Sequence, residues 1–265
     1  MLFDEIATVT ANQKLGPGLY LMTLKAPRCA LEIQPGQFVH MMISTNPAHV
    51  LRRPFSVYAV DARTELIDVL YQVVGSGTFE MTKWQAGTRT AVVAPVGRGW
   101  SPPYNARRAL LIGGGVGAAP LYMLCNQLLD KGADVDVVLG AATADCLVCL
   151  DRYFDLRKPG LRVLHTTDDG SAGAQGFCTE LAEDALALAA RTGKRYDYVA
   201  ACGPEPMMRI ATGLAKLYGI PCEVSLERRM ACGIGACLSC VVDTVEGKKR
   251  ACVDGPVFDI RELPW

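Results

Sequence analysis

The hydrophobic pattern of the N-terminal part of the chain is that of short β-strands. Segments rich in β-branched and aromatic residues alternate with turn signals such as Leu15-Gly16-Pro17-Gly18 and Gln34-Pro35-Gly36. The predicted strands are LYLMTLKA, QFVHMMIS, FSVYAVD, LIDVLYQVV and TRTAVVAPV. Several strands at this spacing are typical of an antiparallel barrel or sandwich, and we expect a β-barrel over residues 1–102.

From residue 109 the pattern changes to strands that alternate with amphipathic helices. ALLIGGG predicts a buried strand, and VGAAPLYMLCNQLLDKG predicts a helix that ends at Gly132. TELAEDALALAARTG predicts a second long helix, with Thr179 as its N-cap and Gly193 as its stop. This alternation predicts a doubly wound parallel-sheet α/β domain over residues 103–225, after a linker within 97–108. A small C-terminal segment, 226–265, follows.

Composition and charge narrow the functional classes. The 265-residue chain carries 27 Lys and Arg against 27 Asp and Glu, so no basic excess points to nucleic acid or to an anionic membrane. Its most apolar stretch, 109–125, is too short for a bilayer span and is interrupted by glycines and a proline. MLFDEIATVT lacks the basic start of a signal peptide. We therefore expect a cytoplasmic protein with reduced cysteines and no contact with a membrane.

Four cysteines near the C-terminus have the C-x4-C-x2-C spacing of a plant-type [2Fe–2S] site, with the fourth after eleven intervening residues. These predicted metal ligands are Cys232, Cys237, Cys240 and Cys252. Gly233 and Gly235 allow the loop to take the positive φ angles that point backbone N–H groups at sulfur. The alternative is a structural zinc site with four thiolates, which usually shows two separated C-x2-C pairs.

A second cysteine pair, Cys146 and Cys149, has the C-x2-C spacing of a redox dithiol. Because no thioredoxin-like context surrounds it, we favour two ordinary thiols at the end of a strand.

Two motifs in the α/β half are placed to bind a nucleotide. Gly113-Gly114-Gly115-Val116-Gly117 follows the first strand and opens the first helix, where glycines let the backbone approach a phosphate. Cys202-Gly203-Pro204 follows another strand, and its thiol would face a nicotinamide ring. In both cases the alternative is a tight strand-to-helix turn without a ligand.

Two motifs in the β half are candidates for a second cofactor. In Arg52-Arg53-Pro54-Phe55-Ser56, Arg53 is suited to pair with a phosphate and Ser56 to hydrogen-bond a ring. Leu70-Tyr71-Gln72 leads into Gly75-Ser76-Gly77-Thr78, where glycines and hydroxyls suit a pyrophosphate. The alternatives are an edge strand with solvated arginines and a plain glycine turn.

Together, these motifs resemble those of the ferredoxin–NADP reductase superfamily over about residues 5–225. The tail, LERRMACGIGACLSCVV and ACVDGPVFD, and the stretch TDDGSAGAQGF resemble the family of dihydroorotate dehydrogenase B electron-transfer subunits. The resemblance implies an oxidoreductase in which FAD lies on the barrel, NAD is the co-substrate and [2Fe–2S] lies in the tail. The implied FAD-binding residues are Arg53, Pro54, Phe55, Ser56, Leu70, Tyr71, Gln72, Gly77 and Thr78. The implied NAD-binding residues are Gly114, Gly115, Cys202, Gly203 and Pro204.

The resemblance also implies a partner. An FMN-containing catalytic subunit would oxidise dihydroorotate, in a heterotetramer of two catalytic and two electron-transfer chains, and this cluster and FAD would pass the electrons to NAD+. Phe55 stands where many reductases of the superfamily have Tyr, so one flavin hydrogen bond is in question. Glu227 and Arg229, just before the cysteine loop, are candidates to act near the flavin or cluster, or to form a surface salt bridge.

No nucleophile–base arrangement is evident among the three histidines, so we expect no catalytic side chain, and a histidine in QFVHMM is expected to pack in a strand. Three alternatives stay open at this point. One is the small subunit of another flavin and iron–sulfur complex, of the ferredoxin–NADP oxidoreductase or sulfite reductase type. Another is a reductase that feeds an oxygenase. The last is a non-enzymatic protein with a structural zinc tail.

Overall fold

Six antiparallel strands of the N-terminal part close into a barrel in the order β1-β2-β5-β4-β3-β6. The strands are β1 (Phe3–Gly16), β2 (Leu19–Lys25), β3 (Phe38–Met41), β4 (Arg53–Asp61), β5 (Leu66–Gln72) and β6 (Arg89–Val96). Two short helices, α1 (Pro27–Ala30) and α2 (Ser76–Met81), complete this part. The barrel closes because β1 pairs with both β2 and β6, which confirms the predicted antiparallel barrel.

The computed structural model describes residues 1–43, 49–147 and 150–265. These residues divide into two units. The barrel unit comprises Met1–Gly99 and Glu227–Val257, and the sheet unit comprises Trp100–Leu226 and Phe258–Trp265. The cysteine segment therefore packs with the barrel, and the final residues pack with the sheet. The boundaries of the predicted domains, 1–102, 103–225 and 226–265, stay predictions.

The cysteine segment contains a small hairpin of β13 (Val241–Thr244) and β14 (Gly247–Arg250). Part of this segment covers β3, whose residues are buried on both faces. Gly97 contacts both β3 and the cysteine segment. It lies against Gly255 and Pro256 of the segment, and a β-carbon on it would lie 3.1 Å from the Phe38 ring of β3. One face of β3 therefore packs in the barrel and the other packs under the cysteine segment.

The sheet unit has seven strands in the order β10-β9-β8-β7-β11-β12-β15. The strands are β7 (Arg108–Gly114), β8 (Asp134–Ala141), β9 (Leu161–Thr167), β10 (Ala174–Gln175), β11 (Tyr198–Cys202), β12 (Cys222–Ser225) and β15 (Val257–Asp259). The helices are α3 (Ala119–Asp130), α4 (Leu150–Asp155), α5 (Cys178–Thr192) and α6 (Glu205–Tyr218). The pairs from β10 through β12 are parallel, as predicted.

The strand order reverses at β7, because β8 and β11 pair on its two sides. In an open α/β sheet, this switch point at the carboxyl ends of the strands is where ligands bind. The glycine motif 113–117 leaves β7 there, and the Cys202 motif leaves β11 beside it.

Two details of the sequence-based expectation change. The predicted N-cap Thr179 lies inside α5, which begins at Cys178 after Phe177, whereas the predicted stop at Gly193 is confirmed by its left-handed φ of 73°. From Trp100 onward, the predicted linker is part of the sheet unit. The Trp100 indole donates to the Pro120 carbonyl at 2.9 Å, and the Ser101 hydroxyl donates to the buried Glu223 carboxylate at 2.5 Å.

Candidate cofactor sites

Arg53, at the start of β4, lies beside the glycine turn that precedes α2. A β-carbon at Gly77 would be 3.5 Å from the Arg53 Nε and 3.7 Å from its Nη2. Thr78 holds the turn, because its Oγ1 accepts the N–H groups of Val74 at 2.9 Å and Gly75 at 3.2 Å. The structure therefore brings together a guanidinium, a side-chain-free glycine and a fixed turn, a combination that fits a pyrophosphate.

The other residues predicted to bind flavin differ in how far their side chains are exposed to solvent. Phe55 is half-buried and meets Tyr71 edge-to-face at 6.1 Å between ring centroids. Tyr71 is almost wholly buried, its ring stacks on Tyr20, and its hydroxyl donates to Asn12 at 3.1 Å. Burial raises the pKa of Tyr71 to about 12.

Leu70 is also buried, Gln72 is exposed, and Pro54 and Ser56 are half-buried. Leu70 and Tyr71 are therefore core side chains that leave mainly their backbone for a ligand, whereas Gln72 has a side chain free to reach one. The individual flavin contacts stay predictions.

The four cysteines of the predicted metal site lie in one loop and its return. Gly233 and Gly235 have φ angles of 70° and 84°, which confirms the predicted left-handed positions. The Cys237 N–H points at the Cys232 Sγ over 3.4 Å. Hydrogen bonds from Ser239, followed by those from Cys232, lower the pKa of the exposed Cys237 thiol to about 6.

The second pair is more buried. Cys240 and Cys252 are both buried, and burial, followed by the Cys240 thiol, raises the pKa of Cys252 to about 12. The backbone of Gly235 acts in the opposite direction through a hydrogen bond to the Cys252 thiol. The Cys252 thiol is also affected by the charge of Cys232, so the return of the loop lies near its first cysteine.

These four cysteines are the predicted ligands of a [2Fe–2S] cluster, which takes two thiolates on each iron. The other candidate pair lies partly outside the described residues: Cys146 is a free, half-buried thiol, and Cys149 is not among the residues described.

His40 packs in the strand β3, as the sequence predicted, but the sequence did not reveal which residues surround it. It has no exposed surface, and it pairs across the sheet with Pro54 of the predicted flavin strand. A β-carbon at Gly233 would lie 3.0 Å from its Cγ and closer still to its Nδ1. Burial, followed by the charge of Arg52, lowers the pKa of His40 to about 4, so the ring is neutral at pH 7.

At the switch point of the sheet, the two predicted nucleotide motifs touch. A β-carbon at Gly117 would be 2.6 Å from the Gly203 nitrogen, and one at Gly203 would be 3.0 Å from the Gly114 Cα. Gly115 is exposed and open, whereas Cys202 is buried. Met207, in the first turn of α6, was missed by sequence reasoning although its sulfur would be 2.7 Å from a β-carbon at Gly114. The NAD contacts of Gly114, Gly115, Cys202, Gly203 and Pro204 stay predictions.

Curated relatives match the chain over its full length. The electron transfer subunit of dihydroorotate dehydrogenase B (NAD(+)) from Desulforamulus reducens is 36% identical, covering 100% of this chain and 98% of the relative. The corresponding subunit from Geobacillus thermodenitrificans is 35% identical, covering 99% of both chains. This chain belongs to the family of dihydroorotate dehydrogenase B electron transfer subunits.

Family profiles match the predicted cluster-binding and NAD-binding regions of this family member. The iron–sulfur cluster binding domain of dihydroorotate dehydrogenase B matches residues 227–264, and an oxidoreductase NAD-binding domain matches 111–213. These matches confirm the predicted oxidoreductase class with cluster-binding and NAD-binding regions. Among the described residues of the chain, no helix is long and apolar enough to cross a bilayer.

Solved structures support the fold. The NADH-dependent reduced ferredoxin–NADP oxidoreductase superposes with a TM-score of 0.85 at 32% identity, covering 98% of this chain and 90% of that one. The ferredoxin reductase of carbazole 1,9a-dioxygenase has a TM-score of 0.68 at 22% identity, covering 83% and 67%. The second likeness shows only the shared reductase fold.

Proposed function

We propose that this chain is the electron-transfer subunit of an NAD-dependent dihydroorotate dehydrogenase. A catalytic subunit with FMN oxidises dihydroorotate to orotate in pyrimidine biosynthesis, and this chain delivers the electrons to NAD+ through [2Fe–2S] and FAD. A cytoplasmic heterotetramer of two catalytic and two electron-transfer chains is part of the proposal.

The observation that carries the proposal is the packing of the cysteine loop on β3. Gly233, beside the ligand Cys232, lies against His40, and His40 pairs with Pro54 of the strand that bears Arg53 and Ser56. One strand therefore separates the cluster loop from the strand predicted to hold the flavin. Electron transfer between two cofactors requires a short path, and this packing would provide one.

The residues of the chain bind and orient the cofactors. Arg53 and the turn at Gly77 hold the pyrophosphate of FAD, and the four thiolates hold the cluster. The turns after β7 and β11 present backbone groups to the phosphates of NAD. When bound, FAD exchanges a hydride pair with NAD and single electrons with the cluster, which no side chain in the chain can do.

A second function has its own support. The likeness to the NADH-dependent reduced ferredoxin–NADP oxidoreductase extends over nearly the whole chain. A subunit of such a complex would use the same three cofactor sites with a different partner. The substrate of the partner distinguishes the two functions.

The test is to co-express this chain with the FMN-containing dihydroorotate dehydrogenase chain of the same genome. We expect one complex that contains FMN, FAD and iron, and that reduces NAD+ when dihydroorotate is added. A complex that fails with dihydroorotate but exchanges electrons between NADH, NADP and ferredoxin would favour the second function. A colourless chain that contains zinc would overturn both.

A further inference from the structure

His40 is a buried side chain whose polar atoms are not satisfied. Its side chain is 0% exposed, and among the described residues neither Nδ1 nor Nε2 has a hydrogen-bond partner of ordinary geometry. A neutral imidazole carries one N–H donor and one bare acceptor. An unpaired buried polar group costs free energy, so a histidine held in this state requires an explanation.

The surroundings of the ring point to the cluster. The backbones of Arg52 and Cys232 lie close enough to form weak hydrogen bonds with the ring, so the ring stands between the predicted flavin strand and the first predicted cluster ligand. Because Gly233 has no Cβ, the His40 ring can pack with Nδ1 facing the space that a β-carbon would fill. Any other residue at position 233 would meet the ring, which explains a glycine there in addition to its φ of 70°.

The neighbouring side chains support a specific role rather than general packing. Phe38 lies two residues earlier on the same face of β3. The edge of its ring packs near Gly97, so an apolar side chain fills that position. A second apolar side chain would fill the position of His40 without leaving two nitrogens unpaired. An acceptor in the completed cluster loop would satisfy the N–H of the imidazole.

We propose that His40 is a positioning residue of the iron–sulfur centre, whose ring N–H donates a hydrogen bond to a sulfur held at the Cys232–Gly233 segment. Such donors stabilise the more negative, reduced form of a cluster, and therefore raise its reduction potential. The inference rests on the proposed function, because it requires that the four cysteines hold the cluster.

The test compares His40→Phe, which keeps a planar ring and removes both nitrogens, with His40→Asn, which keeps an N–H donor. Met22→Leu, in the barrel core on β2, is the matched control for a buried substitution. We expect His40→Phe to shift the cluster potential to more negative values and to change the EPR signal of the reduced cluster. We expect His40→Asn to recover most of the shift, and Met22→Leu to leave both unchanged.

A second measurement detects the contact directly in the wild-type protein. With ¹⁵N-histidine, the reduced wild-type cluster is expected to show weak hyperfine coupling to a ring nitrogen in pulsed EPR, and His40→Asn to lose it. Wild-type protein with a cluster but no such coupling, or His40→Phe with an unchanged potential, would overturn the role of His40 alone. Wild-type protein without iron would overturn the proposed function itself.

Discussion

Gly117 lies against the backbone of Cys202, so closely that a β-carbon at Gly117 would be 2.5 Å from the Cys202 carbonyl carbon. This contact joins the turns after β7 and β11, the two neighbouring strands at the switch point of the sheet. Neither turn can move away without opening the proposed NAD site. The contact therefore links the packing of the sheet unit to nucleotide binding.

Gly117→Ala is expected to destabilise the protein and to weaken NADH binding. The new methyl group meets backbone that cannot rotate away, and such overpacking costs about 1–3 kcal/mol. Thermal unfolding and NADH titration measure the two effects. Gly213→Ala in α6 is the control: no atom lies within 4 Å of its β-carbon position, and replacing a helical glycine stabilises by about 1 kcal/mol. Equal thermal stability and equal NADH affinity in Gly117→Ala and Gly213→Ala would contradict a role for this contact.

Arg53→Gln is expected to release FAD. A hydrogen bond to a charged group contributes about 1.5–3 kcal/mol, so FAD affinity should fall roughly 10- to 100-fold. Flavin fluorescence after gel filtration measures the retained FAD. Arg63→Gln is the control, because the Arg63 side chain is 95% exposed on the β4–β5 turn. Full FAD retention in Arg53→Gln would place the pyrophosphate elsewhere.

Cys237→Ser is expected to abolish cluster assembly. The exposed Cys237 has a pKa lowered to about 6 and is a thiolate at neutral pH, whereas a serine hydroxyl is a poor iron ligand. Iron and sulfide analysis, at about two of each per wild-type chain, provides the measurement. Cys146→Ser removes a thiol from outside the ligand set and should leave iron content intact. Unchanged iron in Cys237→Ser would exclude this cysteine as a ligand.

A buried carboxylate makes the stability of the sheet unit depend on pH. Asp136 accepts hydrogen bonds from Arg162 at 2.9 and 2.7 Å, from Arg108 at 3.0 Å and from Tyr196. Burial alone would raise the pKa of Asp136, but these hydrogen bonds outweigh it and hold the pKa below its usual value.

Because the folded pKa is depressed, the stabilisation is present above the unfolded pKa, near 4, and is lost as pH falls through the folded pKa. Asp136→Asn should therefore cost about 3–5 kcal/mol at pH 7 in urea unfolding, and progressively less as the pH falls below 4. The partly exposed Arg162 keeps the expected effect toward the lower end. A difference that stays constant with pH would show that the carboxylate charge is not responsible.

Local sequence features predicted the elements and motifs of this protein. The apolar segments of β2 to β6, the strand–helix alternation and the glycine stops are set by neighbouring residues, and their periodicity is visible in the sequence. Cysteine spacing predicted the cluster for the same reason, because the four cysteines lie within one loop and its return. β1 was not among the predicted strands, since its polar residues obscure a 14-residue strand that bends through two bulges.

The sequence by itself therefore determined the two folding patterns and the glycine-rich turns, and it predicts the four cysteine ligands. Only the tertiary structure decided that the cysteine segment covers β3, that β15 extends the sheet beyond β12, and that the Gly117 and Cys202 turns touch. These contacts join residues far apart in the chain. They depend on how completed surfaces pack together, a property that no local periodicity records. His40 illustrates the limit: its neighbours on β3 predict a packed histidine, and the loop that covers it comes nearly two hundred residues later.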